Sequence, residues 1–237
     1  EVNRRIIDSL SDIYFAHTKK AKNNLLAEGF SEEKIEVTGN TVIDALLFAA
    51  AKPYDFKETV FERVPFNKKK CILVTAHRRE NFGKPLEEIC LAIKELAHRY
   101  RDELYFIYPV HLNPNVQKPV YSILSDTENI LLTQPQDYLS FVHLIKSSFF
   151  ILTDSGGLQE EGPSLGKPIL VMREVTERPE AVAAGTVKVV GTKTKDIIDA
   201  AVRLIEDKAE FERMSKTINP YGDGHASQRI VERMLRL

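Results

Sequence analysis

The residues that could do chemistry gather around Asp154-Ser155-Gly156-Gly157, a short polar stretch that follows an apolar run and precedes Leu158-Gln159-Glu160-Glu161 in helical pattern. Glycines in such a turn let backbone approach a ligand closely. The first N–H groups of the helix have no intrahelical partner and sit at the positive end of its dipole, so a phosphate or diphosphate suits them, and the Ser155 hydroxyl adds a donor. A lone Gly-Gly would read as an ordinary tight turn. Placed between an apolar strand and a helix, it reads as an anion cradle, with Pro163 shortening or kinking the helix behind it.

Other residues could serve the same ligand. His77, Arg78 and Arg79 bring one titratable ring and two permanent charges to a strand end, which suits a diphosphate that must leave with negative charge; a surface ion pair with Glu80 is the competing explanation. Glu161 could accept from two adjacent ribose hydroxyls, or be a solvated helix carboxylate. Phe141, one turn into a helix after Asp137, could stack on a base or belong to the core. His111 is intermediate, while Gln136 and Arg178 are polar loop residues whose default is solvent exposure. His17, His98, His143 and His225 have no comparable setting.

The elements that must position these groups are legible from Cys71 onward. Short apolar runs at 71–75, 104–108, 130–132, 149–153, 168–172 and 186–190 alternate with helical patterns, which predicts a doubly wound, Rossmann-like α/β fold with a parallel sheet. Most of these runs are continuous rather than alternating, as expected of strands covered on both faces. Leu86, Ile89, Cys90, Ile93, Leu96 and Ala97 mark one buried helical stripe. Pro85 falls in that helix's first turn, and Asn113-Pro114 is a capping residue followed by the proline a first helical position accepts. In doubly wound sheets ligands bind at the carboxyl ends of the strands, and the polar residues after five of these strands would line one cleft. Ahead of them, 13–16 and 35–37 read as two more strands around a helix at 19–28 ended by Gly29, too few to form a domain. The stretch 52–70 reads as a linker helix and loop.

Bulk composition narrows the class. The 237 residues are 43% hydrophobic and 28% charged, enough for a genuine core. A net charge of -1, from 33 basic and 34 acidic residues, gives no general pull toward nucleic acid, and the runs at Lys68–Lys70 and at Lys19, Lys20 and Lys22 are short enough to be solvated faces. Cys71 and Cys90 read as reduced core residues, which with the absence of a membrane-length apolar run or a signal peptide implies the cytoplasm. No His-Glu-x-x-His, paired Cys-x-x-Cys or Gly-Lys-Ser/Thr loop is present, so no metal and no cofactor is indicated. Thr153 to Gly157 resembles a serine nucleophile turn, but Thr153 replaces the first glycine of Gly-x-Ser-x-Gly, which leaves hydrolysis a weak rival. The chain opens at Glu1 in helical pattern without a cap signal, as if cut in mid-structure.

Five ordered motifs carry a resemblance: Thr-Gly-Asn-Thr-Val-Ile-Asp at Thr38, His-Arg-Arg-Glu at His77, Pro-Val-His-Leu-Asn-Pro-Asn at Pro109, Asp-Ser-Gly-Gly-Leu-Gln-Glu-Glu at Asp154, and Thr-Glu-Arg-Pro-Glu at Thr176. With Asn-Pro-Tyr-Gly-Asp-Gly at Asn219, they resemble the non-hydrolysing UDP-N-acetylglucosamine 2-epimerases over essentially the whole chain. The resemblance implies two Rossmann-like domains arranged as in the GT-B glycosyltransferases, of which this sequence is the second. It assigns 1–64 to a remnant of the first domain and a linker, 65–218 to the nucleotide-binding domain, and 219–237 to a helix crossing back. It further implies interconversion of UDP-N-acetylglucosamine and UDP-N-acetylmannosamine through UDP elimination to a glycal, without a nicotinamide. By the same likeness His77 is the catalytic candidate, Gln136 and Phe141 meet the base, Ser155, Gly156 and Gly157 the diphosphate, Glu161 the ribose, and Arg178 the substrate. Arg78 and His111 join the substrate-binding group. The family's other acid and base carboxylates fall outside this sequence, Glu1 being the one residue here that could belong to them. The implied partners are UDP and UDP-sugars, with a homodimer for the full-length protein. A sugar-nucleotide glycosyltransferase and a non-catalytic binding module are the alternative readings.

Overall fold

A computed structural model describes residues 1–236. In chain order the elements are α1 (Val2–Leu10), β1 (Tyr14–Ala16), α2 (Lys19–Ala27), β2 (Ile35–Val37), α3 (Thr41–Ala50), β3 (Lys70–Thr75), α4 (Lys84–Arg99), β4 (Leu104–Pro109), α5 (Pro114–Leu124) and β5 (Ile130–Thr133). They continue with α6 (Tyr138–Ser147), β6 (Phe150–Thr153), α7 (Gly156–Ser164), β7 (Ile169–Val171), α8 (Pro179–Ala184), β8 (Val187–Val189), α9 (Thr194–Glu206), α10 (Lys208–Ser215) and α11 (Ala226–Met234). Contacts divide the chain into two units, residues 49–218 and residues 1–48 with the segment from Asn219 onward.

The larger unit holds a six-stranded, wholly parallel sheet in the order β5-β4-β3-β6-β7-β8. The chain winds outward from β3 to β5, returns to the middle at β6 and winds the other way, so the order reverses between β3 and β6. That pair is registered Ile72 to Phe150 through Thr75 to Thr153, which brings the loops after both strands to the same sheet end. A crevice at this reversal is where doubly wound sheets bind ligands.

Both faces of the sheet are covered, which explains the continuous apolar runs. Ile72, Val74, Phe106, Tyr108, Phe150 and Leu152 share one core with the stripes of α4, α5 and α9. The alternating residues Leu73, Ile107, Ile151, Ile169 and Val171 are equally buried, and α6 and α7 contact this part of the sheet. At Gly162 the backbone of α7 comes so close to β7 that an added Cβ would stand 2.4 Å from Ile169 Cδ1. Any larger residue there would have to displace the Ile169 side chain. The caps read from the sequence are formed: Asn113 Oδ1 accepts from Asn115 N at 2.9 Å, and Pro85 stands in the first turn of α4.

One local expectation fails. Residues 52–69 contain turns and no helix. Pro53 and Pro65 interrupt any helical ladder, and the aromatic residues between them draw the chain into a cluster instead. Phe56 packs on Phe61 and Phe66 with ring centroids 5.8 and 4.5 Å apart, and Phe61 is fully buried.

In the smaller unit β1 and β2 form a parallel pair around α2, whose start is capped by Thr18 Oγ1 accepting from Ala21 N. The core of this pair is small: Tyr14, Ala16 and Ile35, with Ala21, Leu25, Leu26 and Phe30 against them. The Asp44 carboxylate of α3 accepts from the N–H groups of Ala226 and Ser227 and so caps α11. Gly39 and Gly222 meet there, a Cβ on Gly39 standing 3.3 Å from Gly222 Cα. No helix among the described residues is long and apolar enough to cross a membrane, and both cysteines are free and buried.

Candidate functional site

The site is built from the loops that follow β3, β4, β5, β6 and β7. At its floor, β6 ends in Thr153 and is followed by Asp154, both without solvent exposure, and the chain turns at Ser155 into α7. The turn is held from below: Ser155 N donates to Thr153 Oγ1 at 2.8 Å, and Thr153 Oγ1 meets Thr75 Oγ1 across the strand pair at 2.6 Å. Ser155 occupies the N-cap position, yet its hydroxyl makes no capping bond. The first amides of α7 therefore meet the general condition for an anion cradle.

Two guanidinium groups converge on that helix start. A Cβ built on Gly156 would stand 3.3 Å from Arg78 Nη2 and 3.8 Å from Arg178 Nη2. The Arg78 N–H donates to Asp154 Oδ2 at 2.7 Å, which aims its side chain along the turn, and its Nε reaches Asp154 O at 3.3 Å. Arg178 occupies the N-cap position of α8 without a side-chain capping bond and is paired through Nε with the buried Glu160 of α7. The pairing anticipated between this cluster and Glu80 is not how Glu80 is used. Glu80 accepts from Arg173 Nε at 2.5 Å, and Arg173, buried at the end of β7, is clamped from its other side by Glu177 at 2.6 and 2.8 Å. Arg173 thus ties the β3 loop to the β7 loop, and Arg78 is left to face the turn. The Arg173 guanidinium also holds the Glu177 carboxyl down to about 2.

Beside the helix start lies a cleft of about 280 Å³ lined by His77, His111, Gln136, Phe141, Ser155, Leu158 and Glu161 among others. The rings of His77 and His111 stack at 5.4 Å with 12° between planes. Burial pushes the His77 pKa down; Asp154 opposes this, while His111 and Arg78 add to it. Gln136 donates to Gln134 O at 2.6 Å and Phe141 stands half-buried. Glu161 accepts from the Tyr138 hydroxyl at 3.2 Å. Burial pushes the Glu161 carboxyl above the usual carboxylate range, a shift that the Tyr138 hydrogen bond partly offsets. The Tyr138 phenol is pushed up to about 12, first by burial and then by that carboxylate.

The structure therefore brings His77, His111, Gln136, Phe141, Ser155 and Glu161 to one cleft, with Gly156, Gly157, Arg78 and Arg178 at its margin. Sequence reading gave no role to Asn81, Tyr138 and Glu160 and took Arg173 only as a polar loop residue after its strand; all four hold the lining in place. Most of their partners are distant in sequence, Arg173 with Glu80 and Asn81 with Asp154 among them, so local spacing does not announce them; Glu177, four residues after Arg173, was the available hint. Among the described residues no cluster of histidine, cysteine and carboxylate side chains could hold a metal. A wider cavity of about 740 Å³ opens elsewhere, along α4 and the first turns of α9, between Lys84, Glu88, Arg99, Lys193 and Asp199.

A doubly wound sheet whose order reverses over a glycine turn and a helix start places the chain in the Rossmann-like class of α/β proteins. Residues 1–235 match the model of the UDP-N-acetylglucosamine 2-epimerase family, and the chain belongs to that family. It is 51% identical to the UDP-N-acetylglucosamine 2-epimerase of Neisseria meningitidis, covering 100% of this chain and 64% of that protein. The enzyme of the same name from Escherichia coli strain K12 is 48% identical, over 98% of this chain and 63% of its own length. The crystal structure of the Neisseria meningitidis UDP-GlcNAc 2-epimerase bound to UDP-GlcNAc superposes with a TM-score of 0.90 at 50% identity, over 100% of this chain and 65% of that one. That of the Methanocaldococcus jannaschii enzyme in complex with UDP-GlcNAc and UDP gives 0.79 at 34% identity, over 100% and 64%. The chain spans about 64% of the length of the first of these relatives.

Proposed function

We propose that this chain carries the UDP-binding part of an enzyme that interconverts UDP-N-acetylglucosamine and UDP-N-acetylmannosamine. The observation that carries the reading is the convergence of Arg78 and Arg178 on Gly156, at a helix start whose N-cap hydroxyl makes no capping bond. Two fixed cations and several backbone amides aimed at one point suit a diphosphate, and a charge that grows there as a bond breaks is stabilised without reorganisation. Glu161, Phe141 and Gln136 line one cleft and are residue types that suit ribose and base. Relatives of the same family have been crystallised with UDP-GlcNAc or with UDP.

In the reaction, the bond from sugar C1 to the diphosphate oxygen breaks and UDP leaves with the electron pair, while C2 loses its proton, giving a glycal. UDP then adds back to C1 and a proton returns to the other face of C2. His77 stands at the diphosphate end and stabilises or protonates the departing oxygen. Residues 65–218 form the nucleotide-binding domain, 1–64 comprise a remnant of the first domain and the linker, and 219–237 return to that first domain. The full-length enzyme is a cytoplasmic homodimer with UDP and UDP-sugars as its ligands, and neither nucleic acid nor membrane among its partners.

Titration calorimetry with UDP and a C2 hydrogen-exchange assay in deuterated water test this reading together. Micromolar UDP binding with little deuterium incorporation by this chain is the expected pair of results. Absence of UDP binding removes the proposal, and transfer of the sugar to an added acceptor by the full-length enzyme would replace the epimerase with a glycosyltransferase.

A further inference from the structure

Asp154 has an environment that an ordinary turn residue does not need. Its carboxylate is fully buried at the end of β6. Oδ2 accepts three hydrogen bonds, from the backbone N–H of His77 at 2.8 Å, from that of Arg78 at 2.7 Å and from Asn81 Nδ2 at 3.1 Å. Asn81 also donates to Met172 O at 3.2 Å, so this amide is fixed from two sides and the carboxylate cannot easily turn. Oδ1, by contrast, is buried without any hydrogen-bond partner. Leaving an acceptor of a charged group unpaired in the interior is costly. His77 Nδ1 lies 3.5 Å from this oxygen, a few tenths of an ångström beyond a hydrogen bond.

We propose that Asp154 is a positioning residue for His77, holding the proton on Nδ1 so that Nε2 is the ring nitrogen offered to the cleft. The proposal rests on the reading of His77 as the group that meets the diphosphate. With Nδ1–H directed at Oδ1, the orphaned oxygen gains its partner and the imidazole is fixed in rotation. With Nδ1 unprotonated, two lone pairs would face each other in a buried setting, and Oδ1 would stay unpaired. When the negative diphosphate stands opposite Nε2, a proton taken up there from water gives the imidazolium, the form able to donate to the departing oxygen; the same carboxylate stabilises it, whereas the two other charged or titratable neighbours, His111 stacked on the ring and Arg78, disfavour it. In the neutral ring the tautomer decides which nitrogen the ligand meets.

Long-range ¹H–¹⁵N spectra of the ring-labelled chain read this directly, with the six histidines sorted by loss of one set of signals in His77→Gln. In the unsubstituted chain the Nδ1–H tautomer of His77 is expected to exceed the other by roughly tenfold, the ratio a charge-assisted hydrogen bond sets. Asp154→Asn, whose amide can donate to Nδ1, is expected to reverse that preference. A dominant Nε2–H tautomer in the unsubstituted chain, or an unchanged ratio in a folded Asp154→Asn variant, overturns the proposal. If that variant does not fold, the unsubstituted spectrum decides alone. Calorimetry with UDP on the same sample separates the two ideas: lost UDP binding with the Nδ1–H tautomer present removes the functional reading and leaves the pairing, and the converse result removes the pairing only.

Discussion

The cleft over the β3–β6 reversal and the wider cavity along α4 and the first turns of α9 both touch helix N-termini and basic residues, but they use their charges differently. In the wider cavity Glu88 reaches across to α9, accepting from Thr194 N at 3.2 Å and from its hydroxyl at 2.5 Å, so the helix start is already capped from within the fold. Lys195 lies 3.9 Å from Asp199 on the same helix. At the smaller cleft the N-cap hydroxyl of α7 is not spent on its helix, and two arginines point their ends at the same glycine. The difference teaches that volume is a poor guide to a site. What distinguishes the smaller cleft is a helix start without a side-chain cap on which two guanidinium ends are gathered, Arg178 keeping its Glu160 partner as it does so.

The contrast can be broken most severely at the two arginines. Replacing both, Arg78→Ala with Arg178→Ala, is expected to weaken UDP binding by about a hundredfold or more, since hydrogen bonds to charged groups contribute on the order of 1.5–3 kcal/mol each. Calorimetry on the folded double variant measures it, and an affinity within a few-fold of the parent would place the diphosphate elsewhere. Next in size is Gly162→Ala, where the new methyl collides with Ile169 Cδ1 on the sheet side of α7. Overpacking of this kind costs about 1–3 kcal/mol, read as a lower urea midpoint, and through α7 it should disturb the smaller cleft but not the wider one.

A subtler effect is expected from the clamp that frees Arg78 to face the turn. The Glu177 carboxyl is lowered from 4.5 to about 2 by Arg173, so its contribution to stability is complete above the unfolded value and is lost as pH falls from about 4.5 toward 2. Thermal melts over that range should show Glu177→Gln with a flatter pH dependence than the parent, and parallel profiles would mean that the pair contributes nothing. Last, Lys84→Ala and Lys193→Ala at the wider cavity are expected to leave UDP affinity within about twofold, as surface substitutions away from a site do. A large loss there would erase the distinction between the two clefts.

Much of the sheet was legible because its strands are buried on both faces and so appear as unbroken apolar runs. The strand read at 71–75 runs from Lys70 to Thr75, and that read at 130–132 extends to Thr133. The helix expected within 52–70 was misjudged since its formation depended on where Phe56, Phe61 and Phe66 would find partners, which local pattern does not encode. At the cleft, the glycine turn announced itself by residue type. Glu80 with Arg173 and Asp154 with Asn81 did not, as those pairs are 93 and 73 residues apart. A strand-end histidine can be picked from a sequence, but which carboxylate stands behind it depends on the strand order.

Asp154 Oδ2 binds the N–H groups of residues 77 and 78, which stitches the β3 loop to the end of β6 whether or not a ligand is present. A cleft floored in this way is rigid in advance, so a ligand spends little of its interaction energy on ordering protein. Its departure should likewise leave the floor intact. Backbone amides of residues 77 and 78 are accordingly expected to remain among the slowly exchanging protons of the ligand-free chain, an unusual property for the lip of a binding crevice.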